Sequence, residues 1–418
     1  RHPVGDLGIR VLAIGFVDAP DHPLKSIGVT HGPKDTAARA SLHPTPWTLM
    51  VMHGRRSGGS SAFTRLSHEC MPITRANAMK TRREFLARAS QGLLGLGAIP
   101  ALGTGSAQIG GTAQARGTGL VFDERYLDHV LPPSGGAPHP ESPLRLRRIR
   151  EMFVARGLDR ELTPIPLMSD PIPSIRRHHT PEHIESVRAI PVTGPVAELT
   201  VAGALGGVDA VAQGTVRNVF CAIRPPGHHA NNTGREEGFC FYSTAAIAAR
   251  YAQEAHGFEK ILILDWDYHH GNGTQNAFYS DPSVLFFSAH DFYAYPGTGH
   301  PSLTGEGEGS GLNINVHLDC GSRDPDMLRH WDTLLLPAVS RFRPDFIILS
   351  AGFDSRRDDL LGCFDLTDDV FRRMTRISLD LADDYCGGRV VSLLEGGYNV
   401  DGTALAAAAH VETLLEGA

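Results

Sequence analysis

The sequence predicts an α/β protein, namely a single-domain three-layer α/β/α fold with a mostly parallel central sheet. Short runs rich in β-branched and aromatic residues alternate with helical patterns from Leu120 onward, as in folds that place helices on both faces of a sheet. Several runs, such as Ile261-Leu262-Ile263-Leu264, are apolar at every position, which is typical of strands buried on both faces. With 418 residues, 41% of them hydrophobic, the chain is long enough for a substantial core, and wholesale disorder is excluded.

Strands and helices are predicted from these patterns in a regular alternation. The predicted strands are 219–223, 261–267, 284–289, 312–318, 346–351 and 390–394. The predicted helices are 142–156, 181–188, 202–213, 243–255, 326–342, 368–384 and 402–415. No internal repeat is visible, so the elements are expected to form one domain.

The first 115 residues differ from the rest of the chain. Residues 1–78 show no sustained hydrophobic period, and we interpret them as a non-native upstream or disordered segment. Residues 79–115 contain Arg82-Arg83 followed by Phe85-Leu86, then a weakly apolar stretch and Ala113-Gln114-Ala115, which is the order of a signal peptide. The Arg pair resembles a twin-arginine export signal. The alternative is an amphipathic helix with an accidental Arg pair.

The export signal has consequences for the mature protein and its location. If it is used, Met79 is the translation start and residues 116–418 form the mature domain. The protein is then periplasmic or exported, and otherwise it is cytoplasmic.

Composition excludes several classes of protein. No run of 18 or more apolar residues free of charge is present, so a polytopic membrane protein is excluded and no stable membrane anchor is expected. Residues 116–418 carry 26 Lys and Arg against 40 Asp and Glu, a balance that disfavours nucleic acid and favours cationic or amine-bearing ligands. The six Cys form neither a CxxC pair nor a short disulfide framework, so a Cys-ligated zinc finger is not expected.

Polar residues suited to chemistry follow four of the predicted strands. In open α/β sheets the binding site lies beyond the carboxyl ends of the strands, so we expect these loops to converge on one rim. The residues in question are His228 and His229, Asp267 and His269, Asp354, and Tyr398.

Two carboxylates and an imidazole form a candidate metal site. Asp267, His269 and Asp354 offer three N and O ligands and leave one coordination position open, which is typical of a catalytic metal. Taken singly, Asp267 reads as a turn cap at a strand end and Asp354 as an Asx turn. Their joint occurrence beside a pair of histidines favours a metal site.

The paired histidines follow Pro225-Pro226-Gly227, which gives His228 and His229 a rigid approach. A neutral imidazole can take a proton from water and return it to a leaving amine, although one of the two histidines alternatively only packs. Asp265 lies inside a predicted strand, where an unpaired carboxylate is costly, so it needs a partner such as an imidazole N–H. Asn272 is a weaker candidate for the same supporting role.

Tyr398 is the fourth kind of candidate. It follows Gly396-Gly397, and glycines let the backbone approach a ligand closely. A phenol there can donate a hydrogen bond to a developing oxyanion opposite a metal. The alternative is a packed surface aromatic.

Five short motifs occur in order along the second half of the chain. They are Arg224-Pro225-Pro226-Gly227-His228-His229-Ala230, Gly238-Phe239-Cys240-Phe241, Asp265-Trp266-Asp267-Tyr268-His269-His270-Gly271-Asn272-Gly273-Thr274, Ser350-Ala351-Gly352-Phe353-Asp354 and Glu395-Gly396-Gly397-Tyr398-Asn399. Together they resemble the zinc-dependent histone deacetylase family, which includes bacterial histone deacetylase-like amidohydrolases and acetylpolyamine amidohydrolases. The resemblance covers residues 119–415, is strongest to the class II branch, and implies an arginase/deacetylase-like fold.

The resemblance implies roles for the catalytic centre. Asp267, His269 and Asp354 would bind one catalytic Zn²⁺, with His229 as the principal general base and acid and His228 as its electrostatic partner.

The same resemblance implies supporting and substrate-binding roles. Asp265 would hydrogen-bond to His228, Asn272 would face His229, and Tyr398 would polarise the acyl carbonyl. A structural K⁺ would lie near Asp265, Asp267, His269 and Ser288. Phe239 and Tyr295 would form the walls of a narrow tunnel for an alkyl-amine chain. The residues expected to contact substrate are Phe239, Tyr295, Gly238, Leu361 and Gly396.

Departures from the family pattern concern the substrate. Segment 190–198 is shorter than the loop that usually carries a substrate-contacting Asp, and Glu198 is the only acid nearby. Leu361 stands where some polyamine-specific relatives carry an acidic gatekeeper, which argues against that particular device.

The leading hypothesis is therefore a zinc amidohydrolase that removes acetyl or a similar short acyl group from primary amines. Its expected partners are small acylated amines, such as acetylated polyamines, or acetyl-lysine peptides, and no nucleic acid. The alternatives are a non-catalytic acyl-amine-binding protein on the same fold and an arginase-like dimetal ureohydrolase, which metal stoichiometry separates from the leading hypothesis.

Overall fold

The structure is a computed structural model that describes residues 117–133 and 136–418. The predicted segments 1–78 and 79–115 lie outside the described residues. The signal peptide and the translation start therefore stay predictions.

Eight strands form one sheet in the described part of the chain. They are β1 Thr118–Val121, β2 Thr163–Pro164, β3 Asn218–Cys221, β4 Ile261–Asp265, β5 Val284–His290, β6 Asn313–His317, β7 Phe346–Ala351 and β8 Val390–Leu394. Their order across the sheet is β2-β1-β3-β8-β7-β4-β5-β6. Every neighbouring pair is parallel, so the sheet is wholly parallel where the sequence predicted a mostly parallel one.

Helices cover this sheet. They are α1 Pro143–Arg156, α2 Ile172–His178, α3 Pro181–Arg188, α4 Thr193–Ala212, α5 Thr244–His256, α6 Asn272–Phe278, α7 Asp324–His330, α8 Leu336–Phe342, α9 Asp368–Tyr385 and α10 Val400–Glu416. A π-helical turn, Trp331–Leu335, joins α7 to α8. Helix α10 packs against α1 and α9, while α4 packs against α3 and α5, and the sheet with its two groups of helices forms the predicted three-layer α/β/α arrangement.

The central strands explain why the prediction succeeded. All residues of β3, β4, β5, β7 and β8 are buried, and this burial on both faces is the reason for their nearly continuous apolar character. Strand β2 was missed because it has only two residues, and β1 was missed because only two of its four residues, Leu120 and Val121, are apolar side chains larger than glycine.

Helix α4 begins earlier than predicted. Segment 190–198 was read as a loop, but only its first three residues precede the helix, because Pro195 lies in the first turn, where proline is tolerated. Glu198 lies on this helix and pairs with Arg188.

Helix α4, with 20 residues, is long and apolar enough to cross a membrane by length and composition alone. However, 72% of its most apolar 18-residue window is buried inside the protein, as in a core helix.

A disulfide between Cys320 and Cys363 joins the loop after β6 to the loop after β7, with the two Cα atoms 5.1 Å apart. The cysteine spacing did not predict this bond, since the partners are 43 residues apart.

Candidate active site

Four adjacent strands carry the candidate residues at their carboxyl ends. Strands β3, β8, β7 and β4 are neighbours in the sheet, and each is followed by one of the loops singled out from the sequence. Parallel strands end at the same edge, so the loops meet there. The structure thus brings together His228, His229, Asp265, Asp267, His269, Asp354 and Tyr398.

Asp267, His269 and Asp354 converge on a common point. One N or O atom from each lies within 4.8 Å of the others, and all three residues are buried. The Nδ1 atom of His269 is 3.2 Å from Asp267 Oδ1 and 3.0 Å from Asp354 Oδ2. The remaining carboxylate oxygens accept backbone N–H groups, so Asp267 Oδ2 takes Gly396 N at 2.8 Å and Asp354 Oδ1 takes Tyr268 N at 2.8 Å.

Glycines make room for this cluster. A Cβ atom on Gly396 would lie 2.2 Å from Asp354 Oδ2, and one on Gly352 would lie 2.0 Å from Asp267 Oδ2. Neither distance is compatible with a side chain. The N–H of Gly396 is engaged with Asp267, so this glycine supports the cluster, and its expected contact with substrate stays a prediction.

The electrostatics of the cluster fit a bound cation. Burial and the adjacent Asp267 carboxylate raise the pKa of Asp354 to about 7. Burial opposes protonation of His269, yet its hydrogen bonds to Asp267 and Asp354 raise its pKa to about 10. Two buried carboxylates this close together are costly without a positive charge between them. Two carboxylate oxygens and one imidazole nitrogen are also a ligand set that zinc accepts.

His228 lies among carboxylates. Its Nδ1–H donates to Asp265 Oδ2 at 3.1 Å, and its Nε2 is 3.7 Å from Asp267 Oδ1. Burial opposes a charge on this ring, but the carboxylates of Asp267 and Asp265 raise the pKa of His228 well above its usual range. The environment therefore favours a protonated imidazolium. The buried Asp265 has the imidazole partner that its position in the strand required.

His229 has the opposite environment. Its Nδ1–H donates to Asn272 Oδ1 at 2.8 Å, which leaves Nε2 without a proton in the neutral ring. Burial and the positive charges of His228 and His269 hold the pKa of His229 well below its usual range. The two rings lie 4.0 Å apart, centroid to centroid. A neutral imidazole with an unprotonated Nε2 thus lies beside a charged one, whose charge opposes protonation of His229.

Tyr398 is held from two sides. Its side chain is 4% exposed, so it is not the surface aromatic of the alternative reading. Its backbone N–H donates to Asp359 Oδ2 at 2.7 Å, and the guanidinium of Arg145 lies 5.0 Å from the ring centroid. Burial and the nearby Asp354 raise the pKa of Tyr398 well above its usual range, so the phenol keeps its proton and can donate it in a hydrogen bond.

A buried charge network supports the Tyr398 loop. Arg145 donates to the carbonyl oxygens of Glu395 and Gly397 at 2.5 Å each and to Glu141 at 3.1 Å. Arg224 pairs with both carboxylate oxygens of Glu141, at 2.8 and 2.7 Å. Burial disfavours the charge of Glu141, but Arg224 holds its pKa well below the usual range. The network joins helix α1 to the loop after β8.

The supporting residues Arg145, Glu141 and Asp359 were missed by the sequence reasoning. One signal for Arg145 was present, because it lies one turn before Ile149 on α1, next to Leu146, on the face that becomes buried. A charge on an apolar helix face requires a buried partner.

Aromatic rings flank the approach to the cluster. Phe239 packs edge-on against Tyr398 at 5.7 Å, and Tyr295 packs edge-on against His229 at 5.0 Å, centroid to centroid. Gly238 lies between the second pair, since a Cβ atom there would be 2.3 Å from the His229 ring and 2.7 Å from the Tyr295 ring. That Phe239, Gly238 and Tyr295 contact a substrate chain stays a prediction, and their packing around His229 and Tyr398 is compatible with it.

Leu361 lies in the loop after β7 and is 39% exposed. Its N–H donates to Asp359 Oδ1 at 2.9 Å, while the other oxygen of the same carboxylate accepts Tyr398 N. Asp359 thus joins Leu361 to the loop that carries Tyr398.

Comparisons with known proteins agree with this geometry. The Histone deacetylase domain pattern matches residues 190–414. A protein described as "Probable deacetylase" from Archaeoglobus fulgidus is 35% identical over 301 residues, which is 68% of this chain and 82% of that protein. The chain belongs to the histone deacetylase family.

Further similarities place the chain within this family. "Histone deacetylase-like amidohydrolase" from Pseudomonas aeruginosa is 34% identical over 315 residues, 68% of this chain and 82% of that protein. "Histone deacetylase 15" from Arabidopsis thaliana is 37% identical over 329 residues, 74% of this chain, and the match spans 58% of that longer protein. A crystal structure of the HDA15 HD domain matches with a TM-score of 0.69 at 37% identity, over 72% of this chain and 89% of that one. This likeness supports the arginase/deacetylase-like fold.

Proposed function

We propose that this member of the family is a zinc-dependent amidohydrolase that removes acetyl or a similar short acyl group from primary amines. The observation that supports the proposal most is the grouping of a three-donor cluster, a neutral His229 and a protonated Tyr398 at the ends of adjacent strands. Acyl transfer to water needs these three components.

Asp267, His269 and Asp354 would hold the metal. When bound, zinc supplies a Lewis acid that polarises the acyl carbonyl and makes water a stronger acid. The donor set has only three members, which leaves room for substrate and water. The backbone N–H groups of Gly396 and Tyr268 keep both carboxylates oriented toward the common point.

The histidine pair would move the proton. His229 accepts a proton from water at Nε2 while Asn272 holds its Nδ1–H. The carbonyl carbon gains the water oxygen, and the same imidazole then gives its proton to the departing amine. His228, paired with Asp265, keeps its own charge and lowers the pKa of His229, so a protonated His229 readily gives its proton to the departing amine.

Tyr398 would stabilise the tetrahedral oxyanion. Its O–H donates to the oxygen that becomes negative as water attacks, and Arg145 and Asp359 fix the loop from which it extends. A donor that is oriented before the reaction pays no reorganisation cost in the transition state.

The substrate is proposed to be a small acylated amine or an acetyl-lysine peptide. Phe239 packs against Tyr398 and Tyr295 packs against His229, and aromatic walls beside the reacting groups would suit an extended alkyl chain. The acidic balance of residues 116–418 favours a cationic or amine-bearing substrate. Export through the predicted signal, which stays a prediction, would favour acetylated polyamines and other small amines over histone-like proteins.

A structural K⁺ is part of the proposal. Asp265, the last residue of β4, is paired in register with Ser288 of β5, and Asp267 and His269 follow β4 directly. Backbone oxygens at converging strand ends are ligands of the kind that hard cations accept.

The test is deacetylation by the purified chain on a panel of an acetyl-lysine peptide, acetylputrescine and acetylspermidine. We expect turnover that a chelator abolishes and one equivalent of zinc restores. The His229→Ala variant controls for contaminating enzymes. Absence of turnover with one zinc bound would favour the acyl-amine-binding alternative, and a requirement for two metal equivalents would favour the dimetal ureohydrolase.

A further inference from the structure

Glu395 is a buried acid that the proposed chemistry does not use. It follows β8 directly and is 1% exposed. Its Oε2 atom accepts the backbone N–H of Gly227 at 2.7 Å and that of His228 at 3.2 Å. The side chain therefore reaches from the Tyr398 loop to the loop that carries the histidine pair.

The main chain at Glu395 is held from the opposite direction. Arg145 donates to the carbonyl oxygen of Glu395 and to that of Gly397, each at 2.5 Å. With its backbone fixed in this way, the carboxylate has a defined reach toward Gly227. One residue thus links the loop of Tyr398 to the loop of His229.

The carboxylate has no guanidinium counter-ion of its own in the described residues, because Arg145 and Arg224 both pair with Glu141 instead. Its surroundings include an imidazole nitrogen of His228 and the sulfur of Cys240, each within 4.8 Å. Burial raises the pKa of Glu395, and the opposing effects of His228 and of the Gly227 N–H leave it at about 7. Burying an acid without a counter-ion of its own costs stability, so a structural or functional role for Glu395 is expected.

We propose that Glu395 is a positioning residue that sets the distance between the histidine pair and Tyr398. It acts through hydrogen bonds to the backbone of Gly227 and His228, and its reach, more than its charge, is what matters. The proposal rests on the deacetylase function proposed above. A displacement of about 1 Å between a proton carrier and an oxyanion donor lowers a rate by as much as about 10²-fold.

Two substitutions separate reach from charge. Glu395→Asp keeps the carboxylate but withdraws it by about 1.5 Å, one carbon–carbon bond. Glu395→Gln keeps the reach and an acceptor oxygen but removes the charge. We expect kcat of the Asp variant to fall about 10- to 100-fold with KM within about threefold, while kcat of the Gln variant stays within about fivefold.

Amide hydrogen exchange of the two Glu395 variants gives a second readout, which does not depend on turnover. We expect faster exchange of the Gly227 and His228 amides in the Asp variant than in the Gln variant. Glu412→Asp and Glu412→Gln, on an acid that pairs with Arg156 and Arg372, are the matched controls and leave both readouts at the wild-type level.

Several outcomes would overturn the proposal. The first is a larger loss of kcat in the Gln variant than in the Asp variant. The second is an equal kcat in both variants at equal zinc content. The third is amide exchange of Gly227 and His228 that is unchanged in both variants. An inactive wild-type protein with the expected exchange difference would instead contradict the proposed deacetylase function and leave the positioning role supported.

Discussion

The buried end and the exposed end of the candidate site are built in different ways. At the buried end, Asp267 and Asp354 are fully buried, and each has an oxygen fixed by a backbone N–H from a neighbouring loop. At the exposed end, Tyr295 is 49% and Leu361 39% exposed. Strand ends position the candidate metal cluster, whereas surface loops position the groups that are proposed to meet the substrate.

This difference indicates that the fold fixes the candidate catalytic groups more firmly than the groups at the rim of the site. A side chain at the end of a buried strand is surrounded by packed residues and fixed by hydrogen bonds. Its displacement therefore loses packing contacts and hydrogen bonds together, and both losses cost free energy. A loop side chain is held by a few local contacts and tolerates change. Substitutions at the buried end are therefore expected to affect catalysis, and those at the rim to affect substrate preference.

The largest effect is expected from His229→Ala at the buried end. Loss of the proton carrier should lower kcat by about 10²–10⁴-fold, while zinc content stays at one equivalent, because His229 is outside the donor cluster. Steady-state kinetics with metal analysis measures both. His300→Ala, which removes an exposed histidine paired with Ser302, serves as the control, and full activity of the His229 variant would remove it from the chemistry.

Tyr398→Phe should have the next largest effect. The ring and its packing against Phe239 remain, but the oxyanion loses its donor, so kcat should fall about 10²–10³-fold with little change in KM. Tyr385→Phe on α9 is the matched control. A change confined to KM would mean that the hydroxyl group only binds substrate.

Gly396→Ala tests the close packing around the carboxylates. The new methyl group would lie 2.2 Å from Asp354 Oδ2, so the donor cluster must open and zinc affinity should fall about tenfold or more. Isothermal titration with zinc measures this. Gly257→Ala, where no atom lies within 4 Å of the added Cβ and φ is +74°, should reduce stability but leave zinc affinity intact. A zinc affinity of the Gly396 variant equal to that of the wild type would show that the cluster tolerates expansion.

Leu361→Glu at the rim should have the smallest effect on the chemistry. A carboxylate there should raise kcat/KM for acetylspermidine relative to a neutral acetyl-lysine peptide by a few-fold, since exposed charge pairs contribute up to about 1 kcal/mol. Kinetics on both substrates gives the ratio. Leu360→Glu adds the same charge at the neighbouring, 67% exposed position. An equal ratio in both variants would contradict a specific role for position 361.

The sequence was most informative about the buried end. Strands β4, β7 and β8 were recognisable because burial on both faces requires apolar residues throughout, and their ends located Asp267, Asp354 and Tyr398. Helix α6 was missed because Asn272-Gly273 has the composition of a turn. The helix begins at Asn272, whose side-chain oxygen accepts a hydrogen bond from His229 Nδ1–H.

Contacts between distant segments were beyond the reach of sequence patterns. Arg145 bonds to carbonyl groups 250 and 252 residues away, and Asp359 bonds to Tyr398 39 residues away. Periodicity describes one element at a time, so it predicts a buried face but not what that face meets. The Cys320–Cys363 bond escaped prediction for the same reason.

The parallel sheet also determines when a metal can bind during folding. His269 and Asp354 are 85 residues apart in the chain, and Gly396, which orients Asp267, is 129 residues from it. Contacts of such long sequence separation form only after most of the loop-closure entropy has been lost. Unlike a metal held by neighbouring residues in a short finger, a metal here meets only two of its three proposed donors, Asp267 and His269, close together in the unfolded chain. It therefore stabilises the completed fold by mass action but does not guide the chain toward it.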